Sequence, residues 1–216
     1  MCEFCEKGKK IEEVENDNIY FHIYGKHLRV TGRVLSIPLG RDVIIEYCPM
    51  CRKEARRVKA IFLDIDGVLN NSKHLTELMN LLGRKQYFSI INQIHETPFD
   101  YRSCTLLQEL IKETGAEIIL SSTWRLNNNG IEIIEQYAGI PIRDTTPVLD
   151  TIRGEEIKQY LDNHSEITQY IILDDDTDML KEQMKYFVKV SNKIGFTITE
   201  YIQCRNILNN MKEDKQ

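Results

Sequence analysis

"KAIFLDIDGVLN", residues 59–70, runs an apolar stretch directly into two aspartates that are separated by one residue and followed by glycine. The run from Ala60 to Leu63 has the length and composition of a buried strand. Asp64 and Asp66 stand at its carboxyl end, where two like charges repel and each loses hydration unless something cationic compensates. Other apolar runs end in the same way. "EIILSS" at 117–122 closes on Ser121 and Ser122, and "YIILDDD" at 170–176 closes on Asp174, Asp175 and Asp176; a further run, "YFVKV", lies at 186–190.

Helical periods separate the runs. "SCTLLQELIKETG" (103–115) places Leu106, Leu107, Leu110 and Ile111 on one face and offers Gly115 as its terminator, and "RGEEIKQYLDNH" (153–164) does the same with Ile157, Tyr160 and Leu161. Short apolar strands alternating with amphipathic helices predict an α/β fold, a Rossmann-like open parallel sheet with helices on both faces. In such sheets ligands bind in the crevice beyond the carboxyl ends of the strands. One crevice would therefore collect four or more carboxylates and two hydroxyls. An oxygen-rich acidic cluster suits a hard cation such as magnesium, which keeps several waters and takes one or two carboxylates plus substrate phosphate.

The first 57 residues are of another character. Residues 1–59 carry 12 Lys and Arg against 9 Asp and Glu, a net +3, within a chain whose formal charge is -5, so the remainder is -8. Cys2, Cys5, Cys48 and Cys51 form two C-x-x-C pairs, "CEFC" and "CPMC", around alternating segments such as "NIYFHIYGKHLRV". Two such knuckles supply four thiolates in tetrahedral geometry, and a segment this small gains folding free energy from a structural metal. The expectation is a β-rich, zinc-ribbon-like module over 1–57, its zinc closed to substrate. The α/β domain then covers 58–216, with a small insertion at about 71–98. Arg52, Lys53, Arg56, Arg57 and Lys59 follow the last cysteine pair, as a solvated face or as a phosphate-backbone contact for a nucleic-acid end.

The 216 residues hold no apolar stretch of the roughly 20 needed to span a bilayer and no apolar stretch after the N-terminus like that of a secretory signal. The expectation is a cytoplasmic protein. Its negative total charge excludes a surface that is basic throughout, and the chain has no glycine-rich triphosphate loop.

In order, "DIDGVLN", "IILSS", a basic residue opening a helix and "IILDDDTDM" resemble the four motifs of the haloacid dehalogenase-like superfamily of phosphohydrolases. Within it, "ETGAEIILSSTWR" and "RGEEIKQYL" are most similar to the HAD domain of Swiss Army knife RNA repair proteins. The resemblance implies that Asp64 attacks phosphorus to form an aspartyl-phosphate and that Asp66 serves as acid and then base. It implies that Ser121, or Ser122, binds a phosphoryl oxygen and that Arg153, or Lys158, neutralises the transferring group. It also implies magnesium held among Asp64, Asp66, Asp174, Asp175 and Asp178. Trp124 and Arg125, just past the second motif, are candidates to line the substrate opening, Trp124 either stacking a base or packing the domain.

The favoured function is a magnesium-dependent phosphatase acting on a phosphomonoester, with a nucleotide or nucleic-acid end as substrate. The alternatives are a non-catalytic protein that binds a phosphorylated ligand or nucleic acid on the same fold, and a zinc-directed nucleic-acid adaptor. The intact pair Asp64 and Asp66 speaks for catalysis, since binding alone requires no nucleophile beside a proton donor.

Overall fold

The computed structural model describes residues 57–88 and 99–210, and the backbone of four strands within residues 10–44. The chain divides into two compact units, residues 1–58 with 160–168, and residues 59–159 with 169–216. In the first, β1 (Lys10–Glu13), β2 (Ile19–Tyr24), β3 (His27–Val34) and β4 (Ile37–Ile44) form an antiparallel sheet in chain order. Tyr24 pairs with His27 and Val34 with Ile37, which sets the antiparallel register of β2 on β3 and of β3 on β4. Cys2, Cys5, Cys48 and Cys51, and likewise Arg52, Lys53 and Arg56, lie outside the described residues. Arg57 is exposed, and the Lys59 ammonium donates to Asn209 Oδ1 at 3.3 Å.

The second sheet has five parallel strands: β5 (Val58–Leu63), β6 (Glu117–Leu120), β7 (Ile142–Thr145), β8 (Ile167–Asp174) and β9 (Phe187–Lys189), in the spatial order β7-β6-β5-β8-β9. Ile61, Leu63, Ile118, Leu120, Ile171 and Leu173 belong to one apolar cluster, which includes Leu107 and Leu110 of α2 (Tyr101–Thr114) and Cys204 and Leu208 of the last helix. Phe62, Ile119 and Ile172 alternate with them and are equally inaccessible. The sheet is thus covered on both faces, as a period of two within continuous apolar strands requires. Each such side chain contributes about 1.5–3 kcal/mol through burial.

The helices of the described residues include α1 (Ser72–Leu82), α2, the short α3 (Gly130–Ile133) running into a π turn at Ile134–Ala138, α4 (Arg153–Asn163) and α5 (Ile198–Asn210). α2 ends as its sequence predicts: Gly115 adopts φ +66° and donates its N–H to Ile111 O at 2.8 Å. α1 occupies the start of the insertion and has no fully buried residue.

Two strands differ from expectation. β7 has the sequence IRDT, without an apolar run, because as an edge strand it buries little. β8 begins at Ile167, three residues before its apolar run, where its side chains are exposed or half-buried.

Candidate active site

From β5 the chain moves outward through β6 and β7 on one side, then returns to β8 and β9 on the other. β5 and β8 are therefore neighbours at the point where the strand order reverses, and the crevice beyond their carboxyl ends is open. A cleft of about 570 Å³ lies there.

Asp64 leaves β5 with its N–H bonded to Leu173 O of β8 at 3.0 Å, which locks the two strand ends together. The chain then turns sharply: the N–H groups of Val68 and Leu69 both return to Ile65 O, at 3.2 and 2.9 Å. Gly67 allows this turn with φ +81°, a conformation that costs an L-residue about 1–2 kcal/mol. It also leaves room for Asp175, whose carboxylate would lie 2.5–2.8 Å from a β-carbon at position 67.

Across the cleft, Arg153 opens α4. One of its guanidinium nitrogens donates to Asp64 Oδ1 at 2.6 Å and stands 3.0 Å from Asp174 Oδ2. Burial would lower the Arg153 pKa, but the charges of Asp64 and Asp174 outweigh it and hold the guanidinium above its ordinary value. The helix start is fixed by the loop after β8: Asp178 Oδ2 accepts the Arg153 N–H at 3.1 Å, Asp178 O accepts that of Gly154, and Gln183 Nε2 donates to Gly154 O. A β-carbon on Gly154 would come within 2.6 Å of Leu180 N, so glycine permits this close approach.

The acidic groups feel their burial. Desolvation pushes Asp64 up despite the opposing pull of Arg153. Desolvation and the neighbouring charge of Asp64 push Asp174 up to about 7, and Asp175 is raised chiefly by burial. Oxygens of Asp64, Asp174 and Asp175 lie within 4.8 Å of one another. Asp174 Oδ2 is buried and makes no hydrogen bond, since its approach to Arg153 has the distance of an ion pair without the alignment. Three convergent carboxylates, one of which has a buried oxygen without a hydrogen bond, fit magnesium or a similar cation.

Asp66 and Asp178 were expected to share that role and are placed otherwise. Asp66 Oδ1 accepts from Asn70 Nδ2 at 2.8 Å and Oδ2 from the Trp124 indole N–H at 3.0 Å, so that both its oxygens are engaged outside the trio although it lines the same cleft. Asp178 caps α4. Of the two candidate cations, Arg153 reaches the cleft, whereas Lys158, five residues along α4, is exposed and does not line it.

The second-motif residues are also redistributed. Ser121 and Ser122 are inaccessible, at 0% and 1%; Ser122 Oγ accepts the Trp124 backbone N–H at 3.5 Å, and the Ser121 hydroxyl is buried without a partner. Thr123, which the sequence reading passed over, lines the cleft. Trp124 does not present its face for stacking: it is 5% exposed and packs against Phe99, ring centroids 5.4 Å apart. Arg125 does not line the opening either. It turns inward to Glu156 of α4 at 2.6 Å and donates to the carbonyls of Ser121 and Ser122 at 2.6 and 2.7 Å. A short 3₁₀ turn, Thr123–Leu126, sends these neighbours in different directions. Asn70, Asn71 and Asn192 add amides to the polar lining; isolated loop amides have no period by which a sequence marks them.

No curated protein and no solved structure matches the chain. Residues 60–200, which include every residue of this cleft, match the family described as the HAD domain in Swiss Army Knife RNA repair proteins. The chain belongs to that family.

Proposed function

We propose that the protein is a magnesium-dependent phosphatase that hydrolyses a phosphomonoester through an aspartyl-phosphate on Asp64. The observation that carries this reading is the pairing of Arg153 with Asp64 and Asp174 across the ends of β5 and β8, with Asp66 held two residues beyond. Asp64 and Asp174 both touch the fixed cation and belong to the trio able to hold a metal, and of the two it is Asp64 that has Asp66 two residues beyond it. Magnesium bound by Asp64, Asp174 and Asp175 would neutralise charge on the phosphoryl oxygens.

An Asp64 oxygen attacks phosphorus as the ester P–O bond breaks, and Asp66 gives its proton to the departing oxygen. Asp66 then accepts a proton from water as that water attacks the phosphorus, and the Asp64–phosphorus bond breaks to release phosphate. Arg153 stands where charge develops on the transferring group, fixed in advance by Asp178 and the start of α4. Thr123 borders the same space.

The substrate class proposed is a nucleotide or a nucleic-acid end, supported by the family's association with RNA repair and by a cleft large enough for a nucleotide. The cysteines Cys2, Cys5, Cys48 and Cys51 are proposed to hold a structural zinc in a module over residues 1–57, and Arg52 to Lys59 to contact the nucleic-acid backbone. The test is phosphate release from a panel of nucleotides and of 3′- and 5′-phosphorylated oligonucleotides, with and without magnesium, beside Asp64→Asn. Magnesium-dependent release that is lost in the variant is expected. Absence of release across the panel overturns the reading.

A further inference from the structure

Trp124 is the chain's one tryptophan, and its indole N–H is spent on Asp66. The contact is held from several sides. The ring is buried against Phe99, and the Trp124 carbonyl accepts the Asn127 N–H at 3.1 Å. Gly130 lies so close that a β-carbon there would stand 2.1 Å from that carbonyl oxygen. The other arm on Asp66 is equally fixed. Asn70 is 4% exposed, and its Oδ1 accepts the Gly67 N–H at 2.9 Å while its Nδ2 donates to Asp66.

Both partners therefore donate, one to each oxygen of Asp66, and an indole N–H has no acceptor capacity. Rotating the carboxyl group would break both bonds. Each oxygen keeps a further lone pair, and a proton carried there has neither partner as its acceptor. A phenylalanine would fill much the same apolar space; what tryptophan adds at this position is the N–H.

We propose that Trp124 is a positioning residue: with Asn70 it fixes the Asp66 carboxyl so that its proton meets the leaving oxygen in the cleft. This rests on the phosphatase reading above. In the step it serves, the Asp66 O–H bond breaks and a new O–H bond forms on the leaving oxygen, while the electron pair of the breaking P–O bond stays on that oxygen. Only a basic leaving group needs this proton, so the role is visible in leaving-group dependence.

The test replaces the single tryptophan with 3-benzothienylalanine, which keeps the ring's shape and substitutes sulfur for the N–H; Trp124→Phe is the second variant. kcat/KM, which ends at the first irreversible step, is measured on glycerol 2-phosphate and on 4-nitrophenyl phosphate. The expected result is a loss of roughly tenfold on the alkyl ester, the scale of one hydrogen bond to a charged group, and less than about twofold on the aryl ester. Equal loss on both esters, or no loss on either, overturns the proposal. In parallel, the one indole N–H signal in a ¹⁵N-labelled sample is expected to move upfield in Asp66→Ala; a signal that stays in place also overturns it. A wild-type protein that hydrolyses neither ester is measured instead on the best nucleotide of the panel, an alkyl ester on which the roughly tenfold loss is again expected; release from no substrate at all fails the phosphatase reading and this role with it, and the indole signal then reports separately whether the contact exists.

Discussion

Arg125 and Glu156 meet 2.6 Å apart in the interior, with side chains only 6% and 8% exposed. The pair joins the turn after β6 to α4, the helix that carries Arg153. Glu156 also accepts the Leu149 N–H at 3.0 Å, so its two oxygens serve two different segments. Removing one partner leaves the other charge buried and alone, a loss of about 3–5 kcal/mol. Glu156→Ala and Arg125→Ala are each expected to lower the thermal midpoint by roughly 10 °C. The double variant is expected to lose less than the sum, which a double-mutant cycle by denaturant titration reads directly.

The cations on α4 separate by position. Arg153→Ala is expected to lower kcat on the order of 10²- to 10³-fold, as loss of a preorganised charge at the reacting group does. Lys158→Ala, at an exposed site, is expected to stay within about twofold of wild type. Steady-state kinetics on the best substrate of the panel decides between them.

Asp64→Asn is expected to abolish turnover, by on the order of 10⁴-fold or more, because the amide is no nucleophile. It also removes one partner of Arg153 and one negative neighbour of Asp174. Labelled phosphate that stays on the wild-type protein through a rapid acid quench and is freed by hydroxylamine, and its absence in the variant, checks the covalent step.

A pH effect follows from Asp174. Its carboxyl is pushed up to about 7 in the fold, by burial first and by Asp64 second. A raised carboxyl pKa means that the metal-free fold holds a proton which the unfolded chain has released. This group's contribution is therefore most favourable at low pH and is lost as pH rises through the interval up to about 7. A bound cation must displace the same proton, so magnesium is expected to bind more tightly at pH 8 than at pH 5.5. Thermal midpoints measured with magnesium and with chelator should diverge as pH rises, and a constant gap would contradict the assignment.

Gly67→Ala tests the turn. A β-carbon there meets the Asp175 carboxylate and the backbone stands at φ +81°. A loss of about 1–2 kcal/mol from the backbone, together with weaker magnesium binding as Asp175 is displaced, is expected in denaturant and calorimetric titrations.

Much of this fold is legible because its strands are apolar on both faces: β5, β6, β8 and β9 each stand out as a run. Asp64 and Asp174 were legible for the same reason, since a carboxylate ending such a run falls at the crevice. β7 was not, because IRDT at the sheet edge resembles any polar loop. Trp124 and Arg125 show a different limit. Their nearness to the second motif was readable, but a single 3₁₀ turn determined that one would reach Asp66 and the other Glu156. Asp66 falls in the cleft as its motif suggests, but that Asn70 and Trp124 would take its two oxygens was not legible, because spacing of two suggests a shared face only while the strand continues.

The adjacency of β5 and β8 bears on how the protein is made. The two strands are hydrogen-bonded neighbours, yet more than a hundred residues separate Leu63 from Ile167. Contacts so distant in sequence form late, after the closure entropy of the intervening chain has been overcome. A nascent chain emerging from the ribosome therefore exposes Asp64 and Asp66 long before Asp174 and Asp175 exist. The cleft proposed to hold the cation is complete only once β8 has docked beside β5.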